Sequence, residues 1–208
     1  MRSSDFPNPE LAFEAAKRAG RSYDLDTASI DVAIQAYRES GLSDEDACLF
    51  INVLPSTLIN PNFPAFIYHT IRTNQLRADQ VVLEISESEQ MDQLLDSFHM
   101  IQELVAQGFQ FALDDVGKGY SNFDVMIAFP FNYIKLDRLF STQLHLSGKK
   151  KALVQLFRDY CESQKVQLVL EGLETRQEYL LAMQLGVANA QGYFLGRPVA
   201  IEEAHVFL

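Results

Sequence analysis

The sequence predicts an α/β fold in which helices surround a parallel sheet, as in a (β/α) barrel. Short apolar runs rich in β-branched and aromatic residues alternate with longer segments of helical period, and this alternation is typical of repeated βα units. A polar or charged residue lies at or just after the end of almost every apolar run. In a (β/α) barrel the carboxyl ends of all strands open on one mouth, where active sites lie. The sequence therefore predicts a polar site at one end of the sheet.

Six strands are predicted, and together they make an incomplete barrel. They lie at residues 48–53, 81–85, 109–113, 131–136, 166–170 and 188–192. A closed barrel of this type has eight strands, so six would leave two exposed strand edges, which proteins usually cover or pair. Either an upstream segment or a partner is expected to fill the gap. We interpret residues 1–208 as a single domain that is truncated at its N-terminus.

Helices are predicted between and before these strands. They lie at residues 8–20, 25–41, 91–108, 150–165 and 175–186. The segment 91–108 places its apolar residues on one helical stripe and ends at Gly108, in the usual position of a helix-terminating glycine. Thr175 is a candidate N-cap, and Gly186 is the matching stop.

Composition excludes several classes of protein. A net charge of −11 disfavours long nucleic acid, because such binding depends on lysine and arginine neutralising phosphates. Hydrophobic residues make up 48% of the chain, yet no run approaches the roughly 18 apolar residues of a membrane span. The N-terminus has no apolar signal segment, so we expect a cytoplasmic protein. Cys48 and Cys161 are far apart and are predicted to be reduced structural thiols.

The strand ends carry the residues on which a function would depend. They are Asn52 after the first strand, Glu84 and Glu87 at the second, Asp114 and Asp115 at the third, Lys135 and Asp137 at the fourth, Glu171 and Glu174 at the fifth, and Gln191 at the sixth. One such residue is commonly a helix cap or a turn former, but six in succession favour a shared pocket. Five or more carboxylates in one mouth would repel each other unless cations neutralised them, so a divalent metal site is predicted.

The adjacent pair Asp114 and Asp115 is suited to hold two metal ions. A shared carboxylate can keep two hard cations about 3.5–4 Å apart for phosphoryl chemistry. Neighbouring residues of an extended strand point to opposite faces, so both carboxylates reach the pocket only if the chain turns after Asp114. Gly117 and Gly119 are predicted to permit that turn.

Six segments in this order resemble the EAL domain, a bacterial family that hydrolyses the second messenger cyclic di-GMP. They read LFINVLPSTLINPNF, LEISES, ALDDVGKGYSN, YIKLDR, LEGLET and AQGYFLGRP, and they extend over nearly the whole chain. The resemblance implies an EAL-type (β/α) TIM-like barrel. It also implies metal-dependent hydrolysis of one phosphodiester, which converts cyclic di-GMP to linear pGpG.

Roles for individual residues are implied by the same resemblance. Asn52, Glu84 and Asp114 would ligate a first metal ion, and Asp114 and Asp115 a second, in a two-metal site for Mg²⁺ or Mn²⁺. Lys135 would stabilise the site and the attacking water, Glu171 would act as general base or partner of the metal-bound water, and Glu87 would brace the loop 116–121. The ligand-binding or supporting residues would be Arg2, Glu174, Gln191 and Gly192.

The sequence departs from the family pattern at three places. The strand with the Glu-Ala-Leu motif and its metal-binding glutamate is not found, and Glu14 lies in a segment that is predicted to be helical instead. Val116 stands where the family has phenylalanine, and Lys118 stands where a small residue is usual. We interpret Lys118 as solvated, although it could reach a phosphate.

The missing glutamate leaves three functions open. The first is a cyclic di-GMP phosphodiesterase whose activity is weak or absent in this chain. The second is a receptor for cyclic di-GMP or a protein-interaction module without catalysis, and the third is an unrelated metal-dependent barrel enzyme. A homodimer or a sensory partner would be compatible with the first two.

Overall fold

A computed structural model describes residues 8–44, 47–86, 98–118 and 123–207 of the chain. The described part contains one sheet of six parallel strands, which pair in the order of the sequence. The strands are β1 Leu49–Asn52, β2 Val81–Ser86, β3 Gln110–Val116, β4 Tyr133–Leu136, β5 Gln167–Leu170 and β6 Asn189–Ala190. All six lie within or next to the predicted ranges, and they form a half-barrel. No strand precedes Leu49 among the residues that the structure describes.

Helices connect the strands and cover the sheet. They are α1 Pro9–Arg18, α2 Ser22–Glu39, α3 Pro55–Leu58, α4 Phe63–Thr73, α5 Phe98–Ala106, α6 Phe123–Ala128, α7 Arg138–Ser141, α8 Gly148–Gln164 and α9 Arg176–Gln184. The 3₁₀ turns are Leu42–Asp44, Ala78–Gln80, Leu144–Leu146 and Ile201–Phe207. Within the described ranges, no helix is long and apolar enough to cross a membrane.

The helix predictions succeed wherever the structure describes the segment. Thr175 caps α9, as expected, and accepts a hydrogen bond from the backbone N–H of Glu178. Glu14 lies on α1 and pairs with Arg18 one turn later, so it belongs to a helix and not to a strand. Residues 91–97 of the predicted long helix lie outside the described residues. Helices α3, α4, α6 and α7 were not predicted, although α4 has a proline in its first turn and buries Phe63, Ile67 and Ile71 at intervals of four residues.

The core lies between the inner faces of the strands and the helices. Strand β2 is buried along five of its six residues, as expected for a central parallel strand covered on both sides. Ile101 and Leu104 of α5 are fully buried, and their spacing of three places both on the helix face that packs on the sheet. The edge strand β1 is more open, and Phe50 is 37% exposed. Cys161 is buried and Cys48 is exposed, and the two do not form a disulfide bond.

Gly117 marks the close approach of the loop after β3 to helix α7. Its backbone is in the left-handed region at φ 95°, and a methyl group at this position would lie 2.3 Å from the Cε2 atom of Phe140. We therefore expect Gly117→Ala to lower the free energy of unfolding by about 2 kcal/mol or more, since a left-handed conformation and a ring clash each cost about 1–2 kcal/mol.

Urea unfolding measures this difference, and Gly148→Ala is the matched control. Gly148 begins α8 without a positive φ, and a methyl group there would have no other heavy atom within 4 Å. If both variants unfolded at the same urea concentration as the wild type, the close approach at Gly117 would be refuted.

Candidate active site at the carboxyl ends of the strands

The strand register places five of the predicted site residues on one face of the sheet. Asn52 is paired with Glu84 in the β1–β2 register, so their side chains lie side by side. Glu84 is paired with Ala112, and Asp114 lies two residues beyond Ala112, on the same face. Lys135 is paired with Val169, two residues before Glu171. The two-residue period of the strands therefore brings these side chains together.

Lys135 lies at the centre of this cluster. Its Nζ atom is 2.6 Å from Glu84 Oε1, 3.0 Å from Asp114 Oδ1 and 2.9 Å from Glu171 Oε1. The lysine side chain is 8% exposed, and the three carboxylates are between 7% and 16% exposed. One buried cation thus contacts one buried and two largely buried carboxylates, from β2, β3 and the end of β5.

Burial and charge shift the protonation of these groups. Burial raises the pKa of Glu84 above its ordinary value, and the attraction of Lys135 offsets only part of that effect. For Glu171, burial together with repulsion from Asp114 outweighs the bond from Lys135 and raises the pKa to about 7. Burial lowers the pKa of Lys135, but Asp114 and Glu84 outweigh burial and raise it. The cluster therefore combines a permanently charged lysine with a carboxyl group that titrates near neutrality.

Asp115 reaches the same side of the sheet through an unusual backbone conformation. Its φ is 59°, in the left-handed region that residues other than glycine rarely adopt, and the β3–β4 register shifts between Leu113 and Val116. The chain therefore turns at Asp115 itself, earlier than the glycines suggested, and Gly119 lies outside the described residues. Ser86 Oγ donates to Asp115 Oδ2 at 3.3 Å. A rare conformation at a strand end is a feature of functional sites.

Lys118 is both solvated and paired. Its side chain is 59% exposed, and its Nζ atom lies 3.3 Å from Asp115 Oδ1 and 3.4 Å from Oδ2. An ion pair with this exposure contributes little to stability because water screens it. The ammonium nevertheless lies beside a carboxylate that was predicted to ligate metal.

The segment after β6 closes the site from the other side. Gln191 donates from Nε2 to Glu171 Oε1 at 2.7 Å, so two of the predicted site residues are in direct contact. Gly192 has a φ of 155°, and a methyl group at this position would lie 2.3 Å from the backbone N and O atoms of Leu173. Glycine is therefore required where the two chain segments pass each other.

An open cavity of about 830 Å³ lies beside the cluster. Of the predicted strand-end residues, Asp115, Asp137, Glu171, Glu174 and Gln191 line it, together with Lys118 and Gly192. Its wall also contains residues that the sequence had not singled out, and these include Arg138, Tyr193 and Arg197. The guanidinium of Arg197 lies 4.6 Å from the centre of the Tyr193 ring. All three lie in the segments YIKLDR and AQGYFLGRP that resemble the family, but they do not end a strand, so the strand-end pattern gave them no role.

The donor atoms of the cluster suit a hard cation. Glu84 Oε1 and Asp114 Oδ1 are buried, and they contact Lys135 without a hydrogen bond of favourable angle. Such carboxylate oxygens, with the amide of Asn52 beside them, are of the kind that Mg²⁺ and Mn²⁺ prefer. In the described part of the chain, however, no three His, Cys, Asp or Glu side chains form a ready metal-binding group. Instead, the Nζ atom of Lys135 occupies the position where the carboxylates of Glu84, Asp114 and Glu171 converge.

Two of the predicted residues cannot be placed. Glu87 and Arg2 lie outside the described residues. Asn52 is exposed at the edge strand, in register with Glu84, and the other predicted residues lie in the cluster or along the cavity.

Fold and site together define an α/β half-barrel protein with an acidic pocket at the carboxyl ends of its strands. The EAL domain family matches residues 2–198 of the chain, and the chain belongs to this family. Its membership rules out the alternative of an unrelated metal-dependent barrel enzyme.

Relatives in the family include enzymes and a regulator. The chain is 30% identical over 148 residues to PdeA of Escherichia coli, a probable cyclic di-GMP phosphodiesterase, and the match covers 71% of this chain and 20% of PdeA. It is 27% identical over 186 residues to BluF of Escherichia coli, a blue light- and temperature-regulated antirepressor, with 89% of this chain and 46% of BluF covered. The chain thus spans less than half the length of these curated relatives.

Solved structures have the same fold. BlrP1 of Klebsiella pneumoniae, in a complex with manganese and cyclic di-GMP, superposes with a TM-score of 0.85 at 30% identity, over 95% of this chain and 50% of that one. The EAL domain of Mycobacterium smegmatis DcpA superposes with a TM-score of 0.78 at 26% identity, over 86% of this chain and 81% of that one. A calcium and cyclic di-GMP complex of BlrP1 is equally similar.

Proposed function

We propose that this chain binds cyclic di-GMP at its acidic pocket and that the same pocket supports metal-dependent hydrolysis to linear pGpG. The observation that carries the proposal is the cluster of Glu84, Asp114 and Glu171 around Lys135, next to the 830 Å³ cavity. The relatives named for this nucleotide and the nucleotide-bound structure of BlrP1 support the same conclusion.

Two divalent cations, Mg²⁺ or Mn²⁺, complete the proposed site. Asn52, Glu84 and Asp114 would hold the first ion, and Asp114 and Asp115 the second. When bound, such ions neutralise phosphate charge and lower the pKa of a bound water. Ions are needed because the chain has a net charge of −11, which otherwise opposes an anionic ligand.

Three residues of the chain prepare the proton transfer in this proposal. Lys135 and Gln191 both bind Glu171 Oε1, so they fix the orientation of this carboxyl group and leave Oε2 as the oxygen that accepts a proton from water. A pKa of about 7 suits a general base that works near neutral pH. The ammonium of Lys135 would also stabilise the charge that develops on the phosphate.

Supporting roles are proposed for the remaining predicted residues. Glu174, which lines the cavity, and Gly192 would contact ligand or ordered water, and Arg2 would bind the nucleotide. Glu87 would brace the loop 116–121. We further propose that residues 1–208 act as one domain, that the protein is cytoplasmic, and that a second copy or a sensory partner regulates it.

Binding is proposed to be more robust than turnover in the 208-residue chain. Six strands supply most of the ligand set, while no strand before β1 contributes a glutamate within the described residues. Loosely held ions can still attract a nucleotide with two phosphates. Hydrolysis is more sensitive, because a displacement of about 1 Å can cost about a hundredfold in rate.

A second candidate function is protein interaction without catalysis. The similarity to BluF, which is named as an antirepressor, favours it and extends over 89% of this chain. This candidate requires no metal and no nucleotide. A measurement of nucleotide binding therefore distinguishes it from the first proposed function.

Titration calorimetry with cyclic di-GMP tests the proposed function. We expect binding in saturating Mn²⁺ and at least about tenfold weaker binding with EDTA, since the ions neutralise the phosphates. Chromatography of the same samples should reveal slow or undetectable conversion to pGpG. Lys149→Met, which removes an exposed lysine of α8, should bind cyclic di-GMP like the wild type. It tests whether a change of net charge outside the cavity alters the affinity.

Two results would change these conclusions. Rapid hydrolysis by residues 1–208 would refute the low turnover. No nucleotide binding even in saturating Mn²⁺ would refute the proposed function and favour the interaction module.

A further inference from the structure

Glu178 is a buried carboxylate that takes no part in the acidic cluster. It lies in the first turn of α9, is 4% exposed, and does not line the cavity. Its oxygens accept three backbone N–H groups: Oε1 that of Gln143 at 2.7 Å, and Oε2 those of Glu174 at 3.0 Å and Thr175 at 2.9 Å. An ordinary capping box needs only the bond from Thr175, so the other two bonds require a different explanation.

The additional bonds join two loops that form one wall of the cavity. One loop follows β5 and comprises residues 171–175. The other comprises residues 137–143, which include α7. Asp137, Arg138, Glu171, Gly172 and Glu174 from these loops line the cavity. A second link runs beside Glu178, where Ser141 Oγ donates to the carbonyl oxygen of Gly172 at 3.0 Å.

The bonds to Glu178 also hold a strained residue. Gln143 has a φ of 53°, in the left-handed region that is costly for a residue with a side chain, and its N–H donates the shortest of the three bonds. Burial on its own raises the pKa of Glu178, but the backbone donors at Gln143, Glu174 and Thr175 outweigh burial and lower it. The carboxylate therefore stays ionised and bound to both loops.

We propose that Glu178 is a positioning residue, which fixes the loop of Glu171 and Glu174 against the loop of residues 137–143 and so sets the shape of the nucleotide pocket. The inference rests on the proposed function for the identity of the nucleotide. The contacts of Glu178 with the two loops do not depend on that function. Glu178 touches no substrate in this scheme and acts through the backbone of Glu174 and Gln143. A merely structural role would be limited to capping α9.

The variant Glu178→Gln distinguishes these roles when it is compared with Leu180→Gly. The amide keeps one acceptor oxygen and cannot serve both loops, whereas Leu180, 44% exposed on the same helix, touches neither loop through a hydrogen bond of its side chain. Glycine at an exposed helix position weakens α9 by itself. Both variants are studied at a temperature at which thermal melting shows them to be fully folded.

Amide hydrogen exchange measures how firmly the backbone N–H groups of the two loops are bonded, and it requires no ligand. In Glu178→Gln we expect at least one of the two loop amides, that of Gln143 or that of Glu174, to exchange about tenfold faster or more, since a bond to a charged group is lost. In Leu180→Gly the faster exchange should be confined to α9. Unchanged exchange at Gln143 and Glu174 in Glu178→Gln would overturn the proposal.

Nucleotide affinity provides the functional readout. With saturating Mn²⁺, we expect cyclic di-GMP to bind Glu178→Gln about tenfold more weakly than the wild type, and Leu180→Gly to bind within about twofold. Equal losses in both variants, or no loss in Glu178→Gln, would overturn the positioning role. If the wild type bound no nucleotide, the proposed function would fail, and the exchange of Gln143 and Glu174 would still decide whether Glu178 links the loops.

Discussion

Replacement of Lys135 by methionine is expected to destabilise the folded chain by about 3–5 kcal/mol, the usual cost of removing one partner of a buried ion pair. The methionine retains the apolar stem, but Glu84, Asp114 and Glu171 remain as three buried carboxylates without a countercharge. For a chain of 208 residues this loss corresponds to a fall in Tm of about 6–20 °C. Thermal melting in EDTA measures it.

Lys149→Met is the matched control, because the same change occurs at an exposed position of α8 and should alter Tm little. Addition of Mn²⁺ should restore part of the stability of Lys135→Met, since a divalent ion can supply the countercharge that the ammonium had provided. If Lys135→Met melted within 2 °C of the wild type, the cluster would not be the buried ion network described above. A loss without any recovery in Mn²⁺ would argue against a metal site at these carboxylates.

The fold could be predicted because its signals are local and repeated. Each strand of a parallel sheet is a short apolar run, and a helix or turn signal follows each run, so even the two-residue strand β6 was located at residues 188–192. The sequence also indicated that the strand ends would meet, since parallel strands have all their carboxyl ends at one edge. Helix α4 was missed although Phe63, Ile67 and Ile71 recur every four residues along its buried face, so its signal was present in the sequence.

Geometry within the site could be predicted only in part. The positions of Glu84 and Asp114 at neighbouring strand ends predicted a shared pocket, but the register that places both on one face comes from the structure. The left-handed turn at Asp115 could not be inferred, because it depends on the shifted register between β3 and β4. Nor does any local pattern reveal that Glu178 reaches Gln143, which is 35 residues away in sequence. Contacts between loops are decided by packing, and packing has no short sequence signature.

Asp114→Asn is expected to abolish about half or more of the stabilisation that Mn²⁺ gives to the wild type. A ligand that binds only the folded state stabilises it by about 2.7 kcal/mol at a concentration of 100 Kd, which raises Tm by about 5–11 °C in a chain of this size. Asp114 is the carboxylate proposed to be shared by both ions, and its Oδ1 atom is buried beside Lys135. Even residues outside the ligand shell change metal affinity by about 10–100-fold, so loss of this shared charge should weaken binding at least tenfold.

The measured quantity is the change in Tm on addition of Mn²⁺, and not Tm itself, because Asp114→Asn also alters the ion contacts of Lys135 and so shifts the melting point in EDTA. Asp159→Asn, an exposed acid on α8 that pairs with Arg158, controls for non-specific binding of Mn²⁺ to an acidic surface. At a concentration that gives 100 Kd for the wild type, tenfold weaker binding leaves about 1.4 kcal/mol of stabilisation, roughly half the wild-type value. Asp159→Asn should retain the full response. Equal responses in the wild type and Asp114→Asn would remove Asp114 from the metal site, and with it the bridge between the two ions on which the proposed hydrolysis depends.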